Sequence, residues 1–372
     1  MYLTEICDVF SGFAFKSFNS DKNGKPVIKI GNINADGSMD IEECSYSTEI
    51  VNDKFVSKSN DIYIALSGAT TGKVALMNYD GFYINQRVGI VRLKNKDIPI
   101  SYLYYYLSSK TKKILEDAAG AAQPNISPKQ IANYLFINRT VFEMESISNE
   151  LNSLNNAIKT KKSQLLSLDE LVKSRFIEMF GKYFEDKSRL VKVSTLASAT
   201  IGLTYKPENV SENGTIVLRS GNIQNAELYL EKDIVRVSNV KIKEDKYVRE
   251  NDILMCSRNG SAKLVGKCCR IPKLDEPMTY GAFMTVIRSI YPYFLNGFFN
   301  STYFTQQLTG TQTASVNQIT TGMLNNYDVI CPTKDEENEF AKFVKLIDKS
   351  KFVCQFIQGT FYAKYARFRP PP

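Results

Sequence analysis

The feature that most constrains this chain is that it repeats itself. The run NDIYIALSGATTGK (Asn60 to Lys73) returns, loosened, as NDILMCSRNGSAKLVGK (Asn251 to Lys267). The neighbourhood returns with it and in the same order. VIKIGNI from Val27 finds VLRSGNI from Val217, 190 positions on (27 to 217). DKFVSKS from Asp53 finds DKYVREN from Asp245, 192 on, and ISPKQIANYLFI from Ile126 finds ITTGMLNNYDVI from Ile319, 193 on. Self-similarity at half the chain length means two similar domains, because solenoid repeats have periods of roughly 20–50 residues.

Each copy is followed by a long helical pattern. Ile147, Leu151, Leu154, Ile158, Leu165, Leu168 and Val172 mark an apolar seam with Lys161 as its one polar position, and Gly181 reads as its stop. Phe340, Phe343, Ile347, Cys354, Ile357 and Phe361 mark a second seam with aromatic filling. A long helix with one apolar stripe needs a partner, and each supplies one for the other; the simpler alternative packs each helix on its own domain. Short apolar runs bounded by Gly, Asn and Asp (PVIKIGNI, DIYIAL, VGIVRL; TIVLRSGNI, DILMC, FMTVIRSI) predict strands, with helical pieces SYLYYYLSSKTKKILEDAA and YFLNGFFNSTYFTQQL after them. The expectation is an α+β chain with pseudo-two-fold order. Its parts are a first globular domain over 1–138, a spacer helix over 139–181, a second domain over 182–333 and a C-terminal helix over 334–372. The two helices pair antiparallel as a coiled coil, with Leu151, Leu154, Ile158, Leu165, Leu168, Phe343, Ile347 and Ile357 in its core. The closing prolines, Pro370 to Pro372, stop any helix.

The 372 residues contain no histidine. That removes the commonest general base and excludes a Ser-His-Asp or Cys-His nucleophile within the chain. Seven cysteines without a CxxC pair fit a reducing cytosol, and the adjacent Cys268 and Cys269 are poorly placed to chelate one metal. No run approaches the 18 apolar residues of a membrane span, and MYLTEICDVFSGFAF lacks the basic start and cleavage site of a signal peptide. A cytoplasmic protein without a catalytic centre, a cofactor or a metal is expected.

A net charge of +8 favours an anionic partner. The stretch from Arg139 to Phe180 has six basic and six acidic residues, so the excess lies mainly in the repeated domains. The loop SGATTGK is not a Walker motif: three residues separate Gly68 from Gly72, and Val74 stands where Ser or Thr is needed. Between the copies the framing strands persist while the polar loop content changes, as two modules reading different targets require. Arg and Lys suit guanine, Asn and Gln suit adenine, and hydroxyls suit phosphates. The DNA-contacting candidates are Lys29, Asn32, Thr70, Thr71, Lys73, Gln86 and Arg87, then Arg219, Asn222, Arg258, Asn259, Ser261 and Lys263.

SGFAFKSFNSDKNGKPVIKIGNI, NDIYIALSGATTGK, YINQRVGIVRL, AAQPNISPKQIANYLF and the helix ending LVKSRFIEMFG resemble the specificity subunits of type I restriction-modification systems, over essentially the whole chain. The resemblance implies two target-recognition domains, each binding one half of a split, asymmetric site on double-stranded DNA. It implies that the paired helices set the gap between the half-sites and dock methyltransferase subunits, two of them, with a motor-nuclease restriction subunit able to join. S-adenosylmethionine belongs to the modification subunits; this chain has neither a [DNS]PP[YF] motif nor a PD-(D/E)xK arrangement. The competing expectations are a helical scaffold with no specific DNA target and, from the enzyme class, a Mg²⁺-dependent nuclease built on Asp and Glu.

Overall fold

The structure is a computed structural model that describes residues 1–19, 22–119, 124–311 and 318–368; Pro370 to Pro372 and part of the AAQPN run lie outside them. It divides into two compact units, residues 1–161 with 357–372, and residues 162–356.

In the first unit the strands are β1 (Cys7–Ser11), β2 (Lys25–Ile28), β3 (Ser45–Ser47), β4 (Asp61–Ala65), β5 (Val74–Met77), β6 (Tyr83–Ile84) and β7 (Val88–Leu93). One antiparallel sheet has the order β1-β7-β4-β5, and a smaller one has the order β3-β2-β6 with β2 and β6 parallel. All five residues of β4 are buried. Ile62 and Ile64 face a core with Tyr102, Leu103, Tyr106 and Leu107 of the helix Ile100–Ser109. Tyr63 and Ala65 face a second core with Ile28, Ala75, Met77 and Ile84. Burial on both faces is why DIYIAL reads as a continuous apolar run rather than an alternating one.

The second unit repeats this plan. Its main sheet orders Ala197–Ile201, Met284–Ser289, Ile253–Cys256 and Cys268–Arg270 as the first orders β1, β7, β4 and β5. Thr215–Leu218 runs parallel to Met278–Tyr280 as β2 does to β6. The strand Ile253–Cys256 likewise splits its faces between two cores. Cys268 and its neighbour Cys269 point one into each, and burial raises the pKa of both thiols, that of Cys269 to about 12. Close approaches recur too. A Cβ on Gly12 would lie 2.3 Å from the Ile84 carbonyl oxygen, and one on Gly202 would lie 2.2 Å from that of Gly281. Asn60 and Asn251, which open the repeated Asn-Asp-Ile, both adopt φ of +69°, a left-handed turn that Asn tolerates better than most residues.

Two long helices complete the chain, Val141–Glu185 and Lys334–Phe368. Both open on a reciprocal capping box. Thr140 N–H donates to Glu143 Oε2 (2.9 Å) while Glu143 N–H donates to Thr140 Oγ1 (3.3 Å), and Thr333 and Glu336 repeat this at 2.7 and 3.2 Å. The first helix runs four residues past its expected stop. Gly181 is inside it, and a Cβ there would meet the Tyr303 hydroxyl at 3.1 Å, so a packing need rather than helix termination accounts for the glycine. The boundary between the units falls within both helices, at Lys161/Lys162 and Phe356/Ile357, rather than at their ends.

Within the second unit the helices are antiparallel. Arg175 pairs with Glu339 at 2.5 Å, and Asp169 pairs with Lys351, so positions rise on one helix as they fall on the other. Phe176 and Phe180 enter that unit's core beside Phe294 and Phe340. Gly297 makes room, since a Cβ there would lie 2.6 Å from the Phe176 ring. Of the expected seam, Leu151, Leu154, Ile158 and Ile347 are buried, while Leu165, Leu168, Phe343 and Ile357 are half-buried. Val344, rather than Phe343, faces the second unit's core, and the ring of Phe343 lies against the Arg175 guanidinium instead. No helix among the described residues is long and apolar enough to cross a membrane.

Candidate nucleic-acid interface

Three chain segments meet at one end of the first unit's sheets. The 3-10 turn Ile30–Asn32 follows β2, the loop from Leu66 to Lys73 follows β4, and Asn85 to Arg87 follow β6. Main-chain bonds stitch them together. Asn85 N–H donates to the Ile28 carbonyl (2.9 Å), Gln86 N–H to that of Phe13 (2.8 Å) and Leu66 N–H to that of Arg87 (2.9 Å). Ile126 N–H closes the rim on the Leu66 carbonyl (2.9 Å). The second unit builds the same edge. Gly281 N–H donates to Leu218 O (3.0 Å), Ser257 N–H to Phe283 O (3.0 Å) and Ile319 N–H to Ser257 O (2.7 Å).

The candidates sort into three groups on these edges. Asn32, Thr71 and Asn222 are buried and fully engaged by the loops themselves. Asn32 accepts from Lys29 N–H (2.8 Å) and donates to the Asp40 carbonyl (2.8 Å), and Asn222 accepts from Arg219 N–H (2.9 Å) and donates to the Tyr229 carbonyl (3.2 Å). Thr71 donates to the Gly68 carbonyl at 2.7 Å. The hydrogen-bonding groups of these three expected contact residues are taken up in shaping the loops. Hydrogen-bonding groups held by buried backbone are not available to a base edge.

Lys29, Thr70, Lys73 and Asn259 are half-buried. Lys29 donates to Ser45 Oγ (2.8 Å) and lies 3.3 Å from the centre of the Phe18 ring, and burial lowers its pKa. Asn259 donates to Ser220 Oγ (3.2 Å), which ties the two loops of the second edge together. The hydroxyls of Ser67 and Thr70 are buried without a hydrogen-bond partner among the described residues.

Gln86, Arg87, Arg219, Arg258, Ser261 and Lys263 are exposed, and the structure brings them onto the two edges, Gln86 and Arg87 on the first and the other four on the second. Arg219 donates to the Asp233 carbonyl (3.2 Å), and the Arg258 guanidinium lies 5.4 Å from the centre of the Phe283 ring. Aromatic residues are the part missed by choosing polar side chains alone. Phe18 is 40% exposed and Phe283 60% exposed, each against a cation of its edge. In the sequence, Phe283 is betrayed only by its place two residues after Gly281, where the first copy has Arg87 two after Asn85.

A second surface lies on the helices. In the second unit Leu166, Leu171 and Ile177 of the first helix and Leu346, Phe352, Val353 and Phe356 of the second remain exposed. Among the described residues no three His, Cys, Asp or Glu side chains gather as a metal site requires.

Residues 1–138 match the type I restriction modification DNA specificity domain. The type I restriction enzyme StySPI specificity subunit of Salmonella potsdam is 25% identical over 158 residues, 40% of this chain and 34% of that protein. The EcoKI specificity subunit of Escherichia coli (strain K12) is 26% identical over 161 residues, 41% and 34%. The similarity thus spans about a third of the length of these relatives. In fold, the chain is similar to the S subunit of a type I restriction-modification system from M. genitalium, with TM-score 0.57 at 14% identity over 100% of this chain and 96% of that one. A chain from a structure concerned with assembly and conformational transition of the type I R-M system gives TM-score 0.54 at 13% identity, over 99% and 95%. By sequence, residues 1–138 are similar to the type I restriction modification DNA specificity domain, and over its whole length the chain shares a fold with the M. genitalium S subunit.

Proposed function

We propose that the chain is the non-catalytic DNA-recognition subunit of a type I restriction-modification complex and binds a bipartite, asymmetric site on double-stranded DNA. The observation that carries this reading is the pair of rims with one main-chain plan and different exposed side chains: Gln86 and Arg87 on one, Arg219, Arg258, Ser261 and Lys263 on the other. Cations on these rims neutralise phosphates during search, and polar groups read a few base pairs each in the major groove. The exposed apolar residues of the long helices, Leu346, Phe352 and Phe356 among them, suit docking of methyltransferase subunits. Those subunits bring S-adenosylmethionine, a restriction subunit can add to the complex, and the assembly works on DNA in the cytoplasm.

The test is methylation mapping of DNA from cells expressing this chain with its modification subunit, against cells without it. A new methylated motif of two short blocks around a fixed gap supports the reading. No new methylation from a stable complex favours a helical scaffold, and Mg²⁺-dependent cleavage by the purified chain favours a nuclease.

A further inference from the structure

Two neighbouring positions on the reading edge differ in residue type between the domains. Ser67 forms a bridge with Asn125, and Arg258 forms the equivalent bridge with Gln318. Leu66 N–H donates to the Arg87 carbonyl in the first domain, and Ser257 N–H donates to the Phe283 carbonyl in the second. Ser67 therefore corresponds to Arg258, and Arg87 to Phe283. The first domain has a small residue on the loop and a cation after the strand. The second has its cation on the loop and an aromatic ring after the strand.

The second arrangement is a preorganised one. Phe283 is held at the rim by two main-chain bonds to its carbonyl, from Ser257 N–H (3.0 Å) and Arg258 N–H (3.1 Å). Its ring is 60% exposed, and the Arg258 guanidinium rests over it at 5.4 Å. Among the described residues Arg258 makes no ion pair, whereas Arg236, Arg270 and Arg288 of the same unit each grip a carboxylate. A flat, permanently charged fork supported on a ring loses less freedom on binding than a free side chain, and it presents parallel N–H donors outward. Guanine is the base whose major-groove edge offers two adjacent acceptors, O6 and N7, to such a fork.

We propose that Arg258, supported by Phe283, is the guanine-reading residue of the second recognition domain, donating two N–H bonds to O6 and N7 of one guanine in that domain's half-site. The assignment rests on the DNA-recognition reading above and adds to it a residue and a base. Arg258→Lys keeps the charge and removes the fork, so it separates base reading from phosphate attraction.

The experiment selects bound duplexes from a random pool with the full chain assembled with its modification subunit, comparing wild type, Arg258→Lys, Arg258→Ala and Phe283→Leu. Both side chains are exposed, so the variants keep the wild-type melting temperature. In Arg258→Lys, preference for one guanine in one half-site falls by between about 5- and 150-fold, with the other half-site unchanged. Arg258→Ala loses the same preference, and Phe283→Leu loses part of it. Undiminished guanine preference in Arg258→Lys, or uniform weakening on all sequences in Arg258→Ala, overturns the proposal and makes Arg258 a phosphate contact. A wild-type complex with no sequence preference sinks the DNA-recognition reading along with it, and is distinguishable because it needs no variant.

Discussion

Arg92 of β7 grips the carboxylate of Asp61, the buried first residue of β4, with Nε at 2.8 Å from one oxygen and Nη2 at 2.6 Å from the other. The same guanidinium donates to the carbonyls of Val56 (3.0 Å) and Lys54 (3.4 Å). Arg288 and Asp252 repeat the arrangement, with bonds to the Tyr247 and Asp245 carbonyls. The repeated Asn-Asp-Ile is therefore structural: its Asn makes the left-handed turn, and its Asp anchors the arginine of the neighbouring strand. Removing one partner of a buried pair leaves a charge uncompensated. Asp61→Ala is expected to lower unfolding free energy by about 3–5 kcal/mol, read by urea denaturation. A loss under 1 kcal/mol would contradict this role.

Loop-shaping and exposed side chains separate on the same edge. Asn32→Ala frees the Lys29 amide and the Asp40 carbonyl from their partner, and about 1–3 kcal/mol of stability goes with it. Gln86→Ala and Arg87→Ala, both at exposed positions, leave the melting temperature in place and weaken DNA binding, with a shallower salt dependence for Arg87→Ala. Melting curves and a salt series of DNA-binding isotherms distinguish the two classes.

Acid stability has an identified contributor. Hydrogen bonds from Arg189, with those from Thr333, hold the Glu336 pKa down to about 2. In the unfolded chain this carboxyl titrates near about 4.3. The unfolded state thus takes up the proton first, so the contribution is complete above that value and fades as pH falls toward 2. Glu336→Gln should flatten the stability profile between those limits. A profile unchanged by the substitution would assign the acid sensitivity elsewhere.

Between Ile347 and Cys354 of the second seam lies Lys351, which bonds Asp169 of the first helix and Glu227 (3.0 Å) of the sheet domain. Burial works to lower its pKa, yet these two carboxylates outweigh it and raise it. Lys351→Ala strands both acids, and a loss of about 2 kcal/mol is expected in thermal unfolding. Phe176→Ala, which empties the space that Gly297 opens, should cost about 3–5 kcal/mol by the same measurement.

On the proposed reading of a split site, helix length should set the gap between its halves. Four residues inserted into each long helix, near Lys161 in the first and matched in the second, lengthen each by about 6 Å and turn it by little more than one revolution. Rise per base pair is about 3.4 Å, so the gap in the methylated motif should change by one or two base pairs. An unchanged gap would remove the helices from the spacing role.

Duplication, two mixed domains, two long helices and a chain without histidine were legible in the residues alone. Each depends on pattern: recurrence at a fixed offset, strand-length apolar runs and seams spaced by three and four. The loops were legible as places, because turn residues frame them. Which loop side chains face outward was not. Asn32 and Gln86 look alike on paper, and only the neighbouring chain, Asp40 in one case and open solvent in the other, decides that the first is enclosed and the second presented. Gly181 shows the same limit, since its reason is a tyrosine 122 positions away at Tyr303. So does Phe283, whose use depends on an arginine from another loop resting on its ring. Local sequence determines secondary structure because its causes lie within a few residues; the availability of a side chain is set by whatever distant segment the fold brings beside it.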